Sequence, residues 1–161
     1  MSFYILLFIF VTIERLNMFS KSCEYAIKAM IFVAQKSTNE SRVSVKQIAE
    51  GTDSPEHFVA KIMQDLSRMK LIQSIKGPNG GFFMDEKNLQ NSIANIVKTI
   101  DGDKLYINCV LGLKACSEKN PCPVHFEYKE IKKNFIKMIE NNTIGDFKEK
   151  LDSKNFFLKN E

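Results

Sequence analysis

Apolar residues recur at the spacing of an α-helix near the start of the chain. The pattern runs from Phe19 to Gln35 and is interrupted by polar side chains on the opposite face. Its apolar members are Phe19, Cys23, Ala26, Ile27, Met30, Ile31, Val33 and Ala34. This periodicity predicts one amphipathic helix with a single buried face.

Two short helices are predicted next, joined by a tight turn. Ser44 followed by Gln47 is the sequence of a capping box, and Gly51 is expected to end that helix. A second helix is expected to begin with Ser54 as its N-cap and Pro55 in the first helical position. The buried stripe of this second helix is predicted to be Phe58, Ile62, Leu66 and Met69, with Val59 beside it. Two short helices that meet at a tight turn are typical of a helix-turn-helix.

A β-hairpin is predicted after the second helix. The apolar segments Leu71–Ile75 and Phe82–Met84 flank the sequence GPNGG. Asn79 and Gly80 are expected to form the turn, because both residues tolerate positive φ. The hairpin would be the wing of a winged helix-turn-helix, so the predicted fold class is mainly α with a small β-wing.

The second half of the chain is predicted to be helical on both sides of a loop. A helix is expected around Ile93 to Ile100, a long one from about Val124 to Glu140, and a short one from Thr143. The long helix carries the apolar stripe Phe126, Ile131, Phe135, Met138 and Ile139. Its other faces are expected to carry Lys132, Lys133 and Lys137. Such a stripe favours a partner helix in a homodimer, and packing against the first helix of the same chain is the alternative.

Size and charge fit one globular domain with a polyanionic partner. The chain has 161 residues, of which 44% are hydrophobic, and a formal net charge of +4. These values allow a buried core and are compatible with nucleic acid binding. Four cysteines without an export signal predict a reducing, cytoplasmic location.

The first residues form an apolar segment that no membrane function explains well. The run from Phe3 to Ile13 is far shorter than the roughly 20 residues of a spanning helix, and it lacks the features of a signal peptide. We expect translation to begin at Met18, with residues 1–17 as an upstream extension and no membrane partner. A short interfacial anchor is the alternative.

Candidate DNA contacts lie on the predicted helix-turn-helix and its wing. A second helix of this motif enters the major groove, and helix N-termini and basic side chains hold phosphates. The alternative is that the serines are helix caps and the other side chains are solvated surface residues. The candidates are Ser44, Ser54, Glu56, His57, Ala60, Lys61, Arg68, Lys76, Asn79 and Gly80.

Three of the four cysteines and one histidine share a short segment. Cys109, Cys116, Cys122 and His125 are separated by six, five and two residues. Thiolates are the usual ligands of iron-sulfur clusters, and imidazole can replace one of them. Zinc would accept the same donors, although only Cys122 and His125 have the spacing of a zinc pair. A thiol switch without metal is the third interpretation, and Cys23 is expected to be a core residue.

The chain resembles a known family of regulators. The stretches CEYAIKAM, QIAEGTDSPEHFVAKIMQDL and IKGPNGGFFM, followed by the cysteine set, are similar to the Rrf-type winged-helix transcriptional regulators, the family of IscR and NsrR. The resemblance covers Met18 to about Leu151.

What this resemblance implies is a bacterial homodimer on a palindromic DNA operator. It implies that Ala60 and Lys61 face bases, that Lys76 replaces a wing arginine, and that the cysteine set binds a cluster. A 2Fe-2S cluster is favoured over a 4Fe-4S cluster, with zinc as the alternative. The expected organisation is a winged domain over residues 18–103, a cluster-binding loop over 104–125, and a dimerisation helix with a tail over 126–161.

Enzyme function is not expected. Outside the cysteine loop, the sequence has no nucleophile-base pair, no phosphate-binding glycine loop and no Cys-x-x-Cys motif. The predicted function is DNA-binding transcriptional regulation controlled by a cluster that senses iron-sulfur status, redox state or nitric oxide. The alternatives are a thiol- or zinc-dependent regulator and a zinc or iron-sulfur protein that does not bind DNA.

Overall fold

The computed structural model describes residues 18–37, 41–114 and 116–158. The extension predicted over residues 1–17 lies outside these ranges. The described chain forms helices α1 Lys21–Lys36, α2 Val45–Thr52, α3 Glu56–Arg68, α4 Glu86–Leu89, α5 Ile93–Asp101, α6 Lys104–Ile107, α7 His125–Asn141 and α8 Ile144–Asp152, with strands β1 Gln73–Ile75 and β2 Gly81–Phe83. This architecture confirms a mainly α fold with a small β-wing.

Helix α1 is the centre of the core. It packs against α2, α3, α5 and α8, and its residues Met30 and Val33 are fully buried. Ser20 precedes the helix and accepts a hydrogen bond from the backbone N–H of Cys23, so α1 begins after Phe19. The core also takes in Ile139 of α7 and Ile144 of α8. Burying side chains of this size stabilises the fold by roughly 1.5–3 kcal/mol each.

The turn between α2 and α3 differs from the prediction in how α2 ends. The capping box at Ser44 and Gln47 is confirmed. Gly51 lies inside the helix, and Asp53 ends it in a left-handed conformation with φ 49° and ψ 54°. Glycine at 51 is required for packing, since an added Cβ would lie 2.2 Å from the ring of Phe32.

The start of α3 also differs from the prediction. Pro55 is the N-cap residue rather than the first helical residue. Ser54 does not cap the helix, because its hydroxyl donates to the carbonyl of Thr52 at 3.2 Å and accepts from the Thr52 hydroxyl at 3.1 Å. The buried hydroxyls of Thr52 and Ser54 thus both find hydrogen-bond partners within α2 and the turn.

The buried face of α3 is rotated from the predicted stripe. Phe58 is 45% exposed and Met69 is 62% exposed, so both were wrongly assigned to the core. Helices α1 and α2 contact α3 from one side and thereby select the buried face. That face consists of Val59, Ile62, Met63 and Leu66.

The wing is present, with a different turn from the one predicted. Strands β1 and β2 are antiparallel, with Ile75 opposite Gly81. The N–H of Gly80 donates to the carbonyl of Gly77 at 2.9 Å, which makes Pro78 and Asn79 the central residues. Positive φ occurs at Gly77 (115°) and Gly81 (153°) rather than at Asn79 and Gly80.

The C-terminal elements agree with the prediction except for one short helix. Helix α6 lies within the segment that was predicted to be loop. A capping box joins Thr143 to Asp146 at the start of α8, as the sequence predicts for a helix that begins there. Within the described ranges, no helix is both long and apolar enough to cross a membrane.

Candidate DNA-binding surface and cysteine site

The first turns of α3 are open to solvent. Glu56, His57 and Lys61 are exposed and Ala60 is half-buried. These residues lie opposite the face that packs on α1 and α2, so they are available to a ligand outside the protein. The ring of Phe58 lies 4.2 Å from the His57 ring and 6.3 Å from the Tyr25 ring, measured between centroids.

A groove separates α3 from the wing. It encloses about 690 Å³ and is lined by Ser44, Gln64, Ser67, Arg68, Ser74, Lys76 and neighbouring residues. The hydroxyls of Ser67 and Ser74 share a hydrogen bond of 2.7 Å, which fixes β1 to α3. Arg68 is exposed and pairs with Asp65 at 3.0 Å.

The sequence candidates did not include several polar residues of this groove, among them Gln64 and Ser67. Both line it together with Arg68. Gln64 follows Ala60 by one helical turn, and that spacing could have identified it. Ser67 is identified by its hydrogen bond to Ser74 of β1, and no sequence pattern predicts that hydrogen bond.

The two serine candidates have different environments. Ser44 lines the groove at the N-terminus of α2, where its hydroxyl accepts a hydrogen bond from the N–H of Gln47 at 3.3 Å. Ser54 is 8% exposed and its hydroxyl bonds within the turn. Of the two serines, Ser44 is therefore the one that borders the groove.

Arg42 braces the wing and was not predicted. Its Nη1 donates to the carbonyl of Asn79 at 3.1 Å, and its guanidinium carbon lies 5.9 Å from the centroid of the Phe83 ring. The next residue, Val43, pairs with Phe82 through two backbone hydrogen bonds of 2.9 Å. Arg42 thus connects the chain before α2 to the wing tip, where Asn79 is exposed.

Lys76 and Gly80 complete the wing candidates. Lys76 is exposed beside the tip. Gly80 is half-buried, and an added Cβ would lie 2.3 Å from the carbonyl oxygen of Ile75. Gly80 is therefore required by the closeness of the two strands rather than as a visible DNA contact.

The cysteine segment, defined here as residues 109–125, brings its four candidate ligands together as two pairs. Cys116 Sγ lies 3.3 Å from His125 Nδ1. The Cys122 side chain helps to lower the pKa of the Cys109 thiol, which makes these two cysteines the second pair. His125 is the first residue of α7, and its N–H donates to the carbonyl of Cys122 at 3.0 Å.

Backbone N–H groups surround the sulfur of Cys109. Hydrogen bonds from Leu111 and then Leu113 lower the pKa of this thiol, with smaller contributions in the same direction from Cys122 and the Lys132 cation. Amide donors that point at a sulfur stabilise its thiolate form. Cys109 is thus the cysteine of the segment most clearly prepared to carry negative charge.

Tyr128 lines one groove with Cys116 and His125. Burial raises the pKa of the Tyr128 phenol, and the nearby Cys116 and Cys109 raise it further. In the part of the chain that the structure describes, no three Cys, His, Asp or Glu side chains converge as ligands of one ion would. His125 Nε2 is buried without a hydrogen-bond partner, so one imidazole nitrogen is unsatisfied.

The sulfur and imidazole donors nevertheless have the chemistry that an iron-sulfur cluster requires. Cys109 already has amide donors at its sulfur, as cluster thiolates commonly have.

The prediction that Lys132 lies on a face of the long helix away from the apolar stripe is wrong. It is 8% exposed, and its Nζ donates to the carbonyl of Asn108 at 3.1 Å. The same Nζ lies 6.0 Å from the centroid of the Tyr128 ring. Helical periodicity could not reveal the burial of Lys132, because the chain before Cys109 covers this face of α7.

Cys23 belongs to the core, as predicted. It is fully buried in α1. Burial raises the pKa of its thiol, and the neighbouring Asp101 carboxylate raises it further. Unlike Cys109, whose thiol pKa is lowered, Cys23 is therefore held as a neutral thiol.

Comparison with known proteins agrees with the fold and the regulator prediction. The model of the Rrf2 family, described as an iron-dependent transcriptional regulator, matches residues 19–150. A protein of Aquifex aeolicus described as an HTH-type transcriptional regulator is 34% identical over 131 residues, which are 80% of this chain and 89% of that protein. The HTH-type transcriptional regulator NsrR of Oceanobacillus iheyensis is 25% identical over 127 residues, covering 78% of this chain and 86% of its own.

Solved structures of regulators share the fold. CymR of B. subtilis, titled the global cysteine regulator, has a TM-score of 0.66 and 20% identity, covering 81% of this chain and 95% of its own. IscR of T. potens has a TM-score of 0.63 and 19% identity, covering 85% of this chain and 90% of its own. These relatives are regulators rather than enzymes, as the sequence predicts for this chain. The chain belongs to the Rrf2 family of transcriptional regulators.

Proposed function

We propose that this Rrf2-family regulator binds a palindromic DNA operator as a homodimer. Support comes from the open first turns of α3 and from the groove of about 690 Å³ that separates α3 from the wing. Ala60 and Lys61 would face bases, while Ser44 and Lys76 would contact phosphates. Half-sites about 34 Å apart would place the two α3 helices in successive major grooves.

The homodimer would form through α7. Phe126 and Ile131 are each 61% exposed on this helix, and Met138 is 48% exposed. A monomer rarely leaves this much apolar surface on one helix uncovered. The same residues on a second copy of the chain would cover it.

We further propose that an iron-sulfur cluster controls operator binding. Cys109, Cys116, Cys122 and His125 would hold it, with the cluster supplying one-electron and ligand-exchange chemistry. The observation that carries this proposal is the contact of 3.3 Å between Cys116 Sγ and His125 Nδ1, and it is supported by the lowered pKa of the Cys109 thiol. The family description as iron-dependent supports the choice of metal.

The segment is connected to the proposed dimer helix at both ends. At one end, His125 is the first residue of α7 and contacts Cys116. At the other, Lys132 of α7 holds the carbonyl of Asn108. A rearrangement of the segment would therefore change the position of α7 and, through the dimer, the spacing of the two α3 helices.

A second candidate is a thiol switch without a cluster. It is favoured by the influence of the Cys122 side chain on the Cys109 thiol, whose pKa it helps to lower, because two neighbouring thiols can form a disulfide. The regulator would then respond to oxidants through its own sulfur atoms.

Anaerobic purification followed by absorption spectroscopy and by iron, sulfide and zinc assays separates these candidates. A cluster predicts visible absorbance with iron and sulfide in equal amounts, lost in Cys116→Ala and kept in the matched control Cys23→Ala. Colourless protein with bound zinc would replace the cluster by a zinc site. Colourless protein without metal, whose DNA binding changes on oxidation, would favour the thiol switch.

A further inference from the structure

Lys132 is a buried cation without a carboxylate neighbour. Its side chain is almost covered, at 8% exposure, whereas the side chain of the adjacent Lys133 is 73% exposed. Among the described residues, no Asp or Glu oxygen lies within 4.0 Å of its Nζ. The acceptor of its hydrogen bond is the neutral carbonyl of Asn108.

Burying the Lys132 ammonium group without an anion nearby lowers the stability of the fold. Lysine is rarely buried without a partner, because removing an ammonium group from water has a large free-energy cost. Replacing a buried charge by an apolar side chain of similar size is often neutral or stabilising. Retaining Lys132 on the inner face of α7 therefore calls for an anion beside it.

The groups around Lys132 indicate which anion this is. The carbonyl it holds belongs to Asn108, the residue directly before Cys109. Lys132 also lines a groove of about 540 Å³ together with Cys116, His125 and Tyr128. Lys132 thus borders the Cys116–His125 pair and holds the backbone next to Cys109.

We propose that Lys132 is the counter-charge and positioning residue for the anionic cluster held by the cysteine segment. This inference rests on the cluster assigned above. Cysteine thiolates that surround a cluster concentrate negative charge in one place, and the buried ammonium would offset that charge. Through Asn108, the same side chain would hold the start of the segment against α7.

The test compares Lys132→Met with Lys132→Arg and with the matched control Lys133→Met. Anaerobic holoprotein is treated with an iron chelator while visible absorbance is followed, the reduction potential is measured, and thermal unfolding of the apoprotein is recorded. We expect Lys132→Met to lose its cluster roughly ten- to a hundredfold faster, as is usual for residues that support metal ligands. The reduction potential should become more negative, because a nearby cation favours the reduced cluster.

The controls distinguish a charge role from a packing role. The apoprotein of Lys132→Met should melt at or above the wild-type temperature, Lys132→Arg should recover most of the cluster lifetime, and Lys133→Met should match wild type. Wild-type kinetics and potential in Lys132→Met would overturn the inference. An equal loss of stability in the apoprotein would also overturn it, in favour of a purely structural lysine. A wild-type protein without iron and sulfide would defeat the proposed cluster itself, and this role with it.

Discussion

The reader region (residues 18–101) and the cysteine segment (residues 109–125) are ordered by different means. In the reader region, Met30 and Leu66 are fully buried, and helices α1 and α2 begin with side-chain caps. In the cysteine segment, Leu111 is 54% exposed. Its described contacts include short-range hydrogen bonds and an ion pair between Glu118 and Lys129 of α7. The reader region is thus held by a hydrophobic core to which α7 and α8 also contribute, whereas the cysteine segment is held by polar contacts.

The largest expected difference between the two regions is in their response to loss of an apolar side chain. Leu66→Ala should lower the free energy of unfolding by about 2–5 kcal/mol, because it opens a cavity at a fully buried position. Leu113→Ala, at a position 52% exposed, should change it by less than about 0.5 kcal/mol. Urea unfolding of both apoproteins measures this. Equal effects would show that the segment is part of the same core.

A smaller effect is expected from Gly51→Ala in the reader region. The new methyl group would lie 2.2 Å from the Phe32 ring, so overpacking should lower the free energy of unfolding by about 1–3 kcal/mol. Gly145→Ala in α8 is the control, since its nearest neighbour outside the helix would be 3.3 Å away. Urea unfolding of the two variants gives the comparison. If Gly51→Ala has the wild-type free energy of unfolding, the Phe32 ring moves aside without a loss of stability.

These packing constraints mark the limit of what sequence can predict here. Caps and turns are local, so Ser44 with Gln47 and the helix start at Thr143 were predicted from neighbouring residues. Which face of α3 is buried depends on α1 and α2, and therefore Phe58 and Met69 were assigned wrongly.

The same reason explains the site residues. Exposure of His57 and Lys61 follows from polarity and position, and the structure agrees. Arg42 donates a hydrogen bond to the carbonyl of Asn79, which is 37 residues away in the chain. No local sequence pattern predicts that contact. The prediction for Lys132 was wrong because the chain at Asn108 packs over a face of α7 that helical periodicity predicts to be exposed.

Arg42→Ala should weaken DNA binding without unfolding the protein. Loss of the hydrogen bond to Asn79 would release the wing tip, and we expect affinity to fall about tenfold, the equivalent of one strong hydrogen bond to a charged group. Fluorescence anisotropy over a range of salt concentrations measures this. If Arg42 acts by holding the wing, the slope of log affinity against log salt stays unchanged. A slope reduced by about one would instead make Arg42 a direct phosphate contact.

The smallest expected effect concerns the thiol of the reader region at alkaline pH. The folded-state pKa of Cys23 is raised by burial, so its contribution to stability is present below the unfolded pKa, near 9.0, and is lost as pH rises above it. Urea unfolding under reducing conditions should therefore give a lower free energy of unfolding at pH 10 than at pH 8. This difference should be smaller in Cys23→Ala than in the wild type. Cys116→Ala, which changes an exposed thiol, should keep the decline. A Cys23→Ala variant with the full wild-type decline would contradict the assignment.

The central claim is that the cysteine segment controls a reader region that folds without it. Anaerobic fluorescence anisotropy on duplex DNA from upstream of the protein's own gene tests it directly, with holoprotein and chelator-treated apoprotein compared in the wild type and in Cys116→Ala. The account predicts that removing the cluster changes the operator affinity of the wild type at least about tenfold, the size of a typical coupling between two sites. Cys116→Ala should remain folded and bind with the affinity of the wild-type apoprotein. Equal operator affinity of wild-type holoprotein and apoprotein would contradict the claim.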